Sequence, residues 1–326
     1  MKWLLPAVLV VLVGCTGGVS DGTNVETVKD DGVFKVALLT PGAISDAGWN
    51  AMAYDGLMAI KDELGCEVDN REATDAQIKD AMRSYAQKDY DLVLGHGFEY
   101  NAPGVEMAKV FPSTVFVSAS GDLTAENAGA FRFYLEQGFY LCGYMAATMS
   151  KTGKIAAVGF NSIPSIKSTF RAYVAGAQAA DPAIIVIEPD MGMDTDIAKF
   201  KQATLYAIAE GADFVIHQAN DGAQGVFDAC KEKGVYAFGA NSNQNGPGII
   251  ASAVISARPA YVALAEQVEA GTYKGSVTLM GIADGAIGFA INNDLVSKVP
   301  KDLLERLTDM QSKITSGELV VPKDDF

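Results

Sequence analysis

The chain has 326 residues, of which 49% are hydrophobic and 33 are glycine, enough to build two cores of ordinary domain size. Against 25 Lys and Arg stand 40 Asp and Glu, a formal charge of −15. That field repels nucleic acid and anionic lipid surfaces and argues against both as partners.

At the N-terminus Lys2 precedes an unbroken apolar run from Trp3 to Val13. The run has the pattern of a secretory signal but only about half the ~20 residues that a bilayer span needs. Residues 1–14 are therefore expected to be an export signal. The run closes on Leu12-Val13-Gly14-Cys15, which resembles the bacterial lipobox. That likeness implies cleavage before Cys15 and lipid on its sulfur and its new amine, placing the protein outside the cytoplasm and tying it to the membrane through that lipid alone. Residues 15–32 then comprise the lipidated cysteine and a polar, glycine-rich stretch whose apolar members are Val19, Val25 and Val28. Such a stretch buries too little surface to fold and reads as a flexible tether.

From residue 33 onward, short Val- and Ile-rich runs alternate with helical patterns. Lys35 to Thr40, Asp91 to Gly95, Thr114 to Ser118, Lys154 to Phe160, Ala183 to Glu188, Asp213 to Gln218, Val235 to Ala240 and Ile249 to Ile255 all read as strands buried on both faces. That alternation calls for parallel sheets in α/β layers. After the first strand, Trp49, Ala53, Leu57, Ile60 and Leu64 recur at helical spacing, with Gly65 at the C′ position and Asp46 at the expected N-cap.

Lys35-Val-Ala-Leu-Leu and Lys154-Ile-Ala-Ala-Val form a weak internal echo, each opening a βα series. Two similar halves follow, with crossings expected at 121–129, 243–248 and 281–285. These divide the chain into lobe I, 33–124 plus 247–281, and lobe II, 125–246 plus 282–326.

In open parallel sheets, ligands meet the loops at the carboxyl ends of the strands. Those loops carry Ser45, Asp46, Trp49 and Asn50 after the first strand, and His96 and Phe98 after Leu94. Further on, Asn220 follows His217, and Asn241 follows Ala240. Amides, aromatic rings and both histidines of the chain suit a planar, hydrogen-bonding small molecule. Each residue also has a structural reading: Trp49 as the start of a core stripe, Asp46 as a cap, the histidines as partners of backbone carbonyls, and Asn241 as part of a turn.

Cys66, Cys142 and Cys230 match neither a disulfide framework nor a zinc site, and Cys230 reads as a small core residue. No nucleophile elbow, phosphate loop, dinucleotide fingerprint or zinc-protease motif occurs. The expectation is a binder and not an enzyme, with no cofactor and no metal.

Ser45-Asp46-Ala-Gly-Trp49-Asn50, Gly95-His96-Gly97-Phe98, Leu141 to Ser150, Gly211-Ala-Asp213, Ala229 to Gly234 and Asp284-Gly-Ala-Ile-Gly288 occur in order along the chain. Together they resemble the basic membrane protein (Bmp) lipoproteins, substrate-binding components of ABC importers that include purine nucleoside receptors. The resemblance implies a type I periplasmic-binding-protein fold, with two Rossmann-like lobes joined by three hinge crossings around a ligand. It implies a monomer that hands a purine nucleoside or nucleobase to an ABC permease, with Trp49 as stacking ring, Asp46 and Asn50 as polar contacts, and Asp284, within a family motif, as a further ligand-binding residue. Where nucleoside binders carry an aspartate after the strand ending at Ala240, this chain has Asn241; before Asp196 it has Met193-Asp194-Thr195 and no aromatic. Two alternatives stand beside this reading, a sensing or structural surface lipoprotein and a binder of a sugar-like ligand.

Overall fold

The computed structural model describes residues 32–45, 48–160, 163–189, 191–192 and 196–325. The expected export signal, Cys15, the tether up to residue 31, Asp46 and residues 193–195 lie outside them.

The first run of elements is β1 (Lys35–Thr40), α1 (Trp49–Leu64), β2 (Glu67–Glu72), α2 (Gln77–Ala86), β3 (Leu92–Gly95), α3 (Asn101–Ala108), β4 (Val115–Ala119) and β5 (Ala128–Phe133). The second is α4 (Glu136–Met149), β6 (Lys154–Gly159), α5 (Pro164–Ala180), β7 (Ile185–Ile187), α6 (Ile197–Ala209), β8 (Phe214–Gln218), α7 (Ala223–Lys233), β9 (Tyr236–Asn241) and β10 (Ile249–Ile255). The chain closes with α8 (Ala257–Glu269), β11 (Val277–Met280), β12 (Ile287–Ile291) and α9 (Lys301–Ser316). Two six-stranded sheets result, in the orders β11-β5-β4-β3-β1-β2 and β12-β10-β9-β8-β6-β7. Among the described residues every strand pair is parallel except β10 with β12. This is the two-lobed α/β architecture that the resemblance implies.

Central strands such as β1 and β3 are unbroken apolar runs because helices cover both sheet faces. The outer strands differ. β7 was expected to be buried on both faces but forms the edge of its sheet, with Ile185 exposed. At the opposite lobe's edge, β2 is the polar run Glu-Val-Asp-Asn-Arg-Glu, whose composition hides it from an apolar-run search.

Three crossings join the lobes, and two fall later than expected. β5 pairs in the first sheet, so the chain crosses after Phe133; β10 pairs in the second, so the next crossing precedes α8, which packs on α1. β5 and β10 thus lie across the expected lobe boundaries, because an apolar pattern reports burial and not sheet membership. The third crossing, between β11 and β12, spans the expected 281–285.

Helix α1 starts at Trp49 with Gly48 at its N-cap position, while Asp46, the expected cap, lies outside the described residues. Gly65 ends it as expected, in the left-handed conformation with its N–H on the Lys61 carbonyl. Helices α4 and α5 cross at backbone contact: a Cβ on Gly143 would lie 2.0 Å from the Tyr173 oxygen, and one on Gly176 would lie 2.0 Å from the Tyr140 oxygen. Cys66, Cys142 and Cys230 are free and buried, and burial pushes the Cys230 thiol up to about 12, so it packs as a small apolar side chain.

Candidate functional site

Carboxyl ends of β3, β4 and β5 in one lobe and of β8, β9 and β10 in the other open onto a single cavity of about 550 Å³. This lies within the size range of small-molecule sites. Trp49, Phe98 and Phe133 supply aromatic wall from the first lobe, while Gln218, Asn220 and Asn241 supply amides from the second.

Trp49 is fixed from beneath. Its indole stacks on the His96 ring, with centroids 3.9 Å apart and planes at 28°, and Phe133 stands edge-on at 6.2 Å. Indole Nε1–H donates to the His96 carbonyl at 3.2 Å. His96 Nε2 lies 2.9 Å from the Trp49 carbonyl, which can only accept, so this nitrogen carries the proton. Nδ1 then accepts the Tyr261 hydroxyl at 2.7 Å, and burial pushes the Tyr261 phenol far up, keeping it a donor.

Backbone strain also concentrates here. Of the five positive-φ residues other than glycine among those described, Ser120, Asn220 and Asn241 line the cavity, with φ of 96°, 42° and 67°. Asparagine tolerates the left-handed region better than most residues. The Asn241 side chain makes no hydrogen bond among the described residues, leaving its amide for something in the cavity.

The sequence-expected residues divide on geometry. Trp49, Phe98, Asn220 and Asn241 line the cavity together. His96 is fully buried and acts through Trp49 as scaffold. Ser45 is exposed outside the lining, and Asn50 is buried against Gly42. Asp284 closes a surface turn at the third crossing, accepting the Gly281 N–H at 2.7 Å. His217 lies behind the wall, donating from Nε2 to Gln244 Oε1 at 2.9 Å, and desolvation lowers it to about 4.

Several lining residues escaped the sequence reading, Ser120 and Phe133 among them, and two of the others form an ion pair. Arg132, at the end of β5, and Glu136, in the first turn of α4, are buried and form an ion pair across the first crossing. Burial pushes the Glu136 carboxyl up, and the Arg132 guanidinium opposes that rise. Arg132 also donates to the Asp324 carbonyl at 2.8 Å, so the C-terminal segment braces the pair. The signal was a lone arginine inside Ala-Gly-Ala-Phe-Arg-Phe, a charge in a run otherwise fit for burial.

A family model described as Bmp, ABC transporter substrate-binding protein PnrA-like, matches residues 33–325. A purine-binding protein of Brucella abortus (strain 2308) is 27% identical over 293 residues, covering 88% of this chain and 82% of that protein. A transcriptional activator protein, med, of Bacillus subtilis (strain 168) is also 27% identical, covering 98% and 97%. Among solved structures, an ABC transporter solute-binding protein from Conexibacter woesei superposes with a TM-score of 0.75 at 27% identity, covering 89% of this chain and 99% of that one.

Proposed function

The chain belongs to the Bmp family of PnrA-like ABC transporter substrate-binding proteins, and from that premise we propose that it captures a purine nucleoside or nucleobase outside the cytoplasm and delivers it to an ABC permease. The observation that carries this reading is the braced indole of Trp49 in the wall of a cavity whose other lobe offers the amides of Gln218, Asn220 and Asn241. A flat heterocycle gains both stacking and in-plane hydrogen bonds there. The name of the Brucella abortus relative supports the purine.

Among the described residues no helix is long and apolar enough to cross a membrane. Attachment is proposed to rest on lipid at Cys15, outside those residues. The mature protein acts as a monomer without a cofactor, and it binds its ligand without turning it over.

Native mass spectrometry of gently purified protein tests the reading directly. A retained purine, with calorimetry giving 1:1 binding, supports it. A retained sugar, or no binding of any purine nucleoside or base, removes it.

A further inference from the structure

Resting on that purine reading, the geometry of the Arg132–Glu136 pair carries the ligand assignment one step further. Glu136 is 1% exposed and lines the cavity. One of its oxygens, Oε1, is occupied: it accepts from Arg132 Nη2 and from the Ser168 hydroxyl. Ser168 Oγ in turn accepts the Asp324 N–H at 2.9 Å, so the C-terminal segment holds both Glu136 partners. The Tyr134 hydroxyl on the Val321 carbonyl anchors that segment further. Oε2, the second oxygen, takes no hydrogen bond from another side chain of the described residues. A carboxylate oxygen at a cavity wall with lone pairs to spare is met by a ligand donor or by water.

We infer that Glu136 Oε2 is a specificity-determining acceptor that takes an N–H from the ring edge of the bound purine. Arg132 and Ser168 act as positioning residues that fix the carboxylate's orientation. The site therefore favours purines whose edge carries a donor, such as the ring N–H of hypoxanthine and guanine or the amino group of adenine. A purine without an edge donor leaves the carboxylate unsatisfied.

The test is calorimetric titration of the full mature chain with inosine, guanosine, adenosine and purine riboside, the last having no N–H on its base. If only free bases bind, hypoxanthine against 9-methylpurine replaces the pair. A hydrogen bond to a charged group corresponds to about ten- to a hundred-fold in affinity, so purine riboside should bind that much more weakly than inosine. In Glu136→Gln, checked for folding by circular dichroism, the gap should shrink several-fold, because inosine loses more affinity than purine riboside does. Equal affinities in the wild type, or an unchanged gap in the variant, overturn the inference while leaving the purine reading intact. Absence of binding by every purine overturns the purine reading itself. Because the wild-type comparison needs no variant, a misfolded Glu136→Gln does not remove the test.

Discussion

Trp49 and His96 hold each other reciprocally: the indole N–H donates to the His96 carbonyl at 3.2 Å, the imidazole donates to the Trp49 carbonyl at 2.9 Å, and the rings stack at 3.9 Å between them. The pair locks the indole to the end of β3 before any ligand arrives, so binding costs little side-chain entropy at this position. Stacking of a base on an aromatic side chain contributes ~1–3 kcal/mol in nucleic-acid binders. Trp49→Ala is therefore expected to weaken purine binding by about ten-fold or more, read by isothermal titration calorimetry. Unchanged affinity would show that the ligand sits elsewhere in the cavity.

How much of this was legible in the sequence follows from what apolar patterning encodes. β1, β3, β8 and β9 were readable because strands covered on both faces are continuous apolar runs, and helix α1 because its stripe and Gly65 agree. The edge strand β2 was not readable, since four of its six side chains are exposed and none is fully buried. Trp49 and Asn241 were found because loops at strand ends face the cleft. Arg132 and Glu136 were missed because their meaning lies in a pairing across a crossing, and the crossing itself was placed too early. Asp284 was assigned from a family motif, and its carboxylate is engaged in its own turn.

The α4–α5 crossing should be among the least tolerant places in the molecule. A Cβ at Gly176 would lie 2.0 Å from the Tyr140 carbonyl oxygen, a backbone atom that cannot swing aside. Gly176→Ala is expected to destabilise the fold by about 3 kcal/mol, at the upper end of overpacking costs. Urea denaturation should register it as a lower midpoint, and a midpoint equal to wild type would mean the helices separate freely.

His217 builds in acid sensitivity. Its folded value is lowered to about 4 by desolvation, whereas an unfolded histidine titrates near 6.5. Between those values the unfolded chain binds a proton that the folded chain does not, so stability falls as pH drops from about 6.5 towards about 4 and levels off below. At about 1.4 kcal/mol per unit the loss reaches about 3 kcal/mol. Carboxylates titrate in the lower part of the same window, so the measurement is a difference. The stability advantage of wild type over His217→Gln should be largest near pH 7 and shrink by about 2–3 kcal/mol at pH 4.5. A constant difference across that range would contradict the assignment.

Attachment through Cys15 is tested independently of the fold. Labelled palmitate should be incorporated by the wild-type chain in a bacterial host, and Cys15→Ser should move the protein to the soluble fraction. Failure of the wild type to take up label removes the anchor from the account and leaves the binding site untouched.

Asn241 should set how strongly the site prefers a nucleoside over its free base. It ends β9 with φ of 67°, lines the cavity and has no hydrogen bond to its side chain among the described residues. An ionised aspartate there could accept from two adjacent ribose hydroxyls, and such charge-assisted bonds are roughly twice as strong as neutral ones. The amide has one acceptor oxygen, while its NH₂ group requires an acceptor in return. Aspartate also tolerates the left-handed backbone, so Asn241→Asp leaves the turn intact. The expected gain is about 1 kcal/mol for nucleosides and none for bases, a roughly five-fold rise in the affinity ratio of inosine to hypoxanthine. Titrating both ligands into wild type and variant measures that ratio. If it does not change, the ribose lies beyond reach of this side chain and the preference is set from another wall of the cavity.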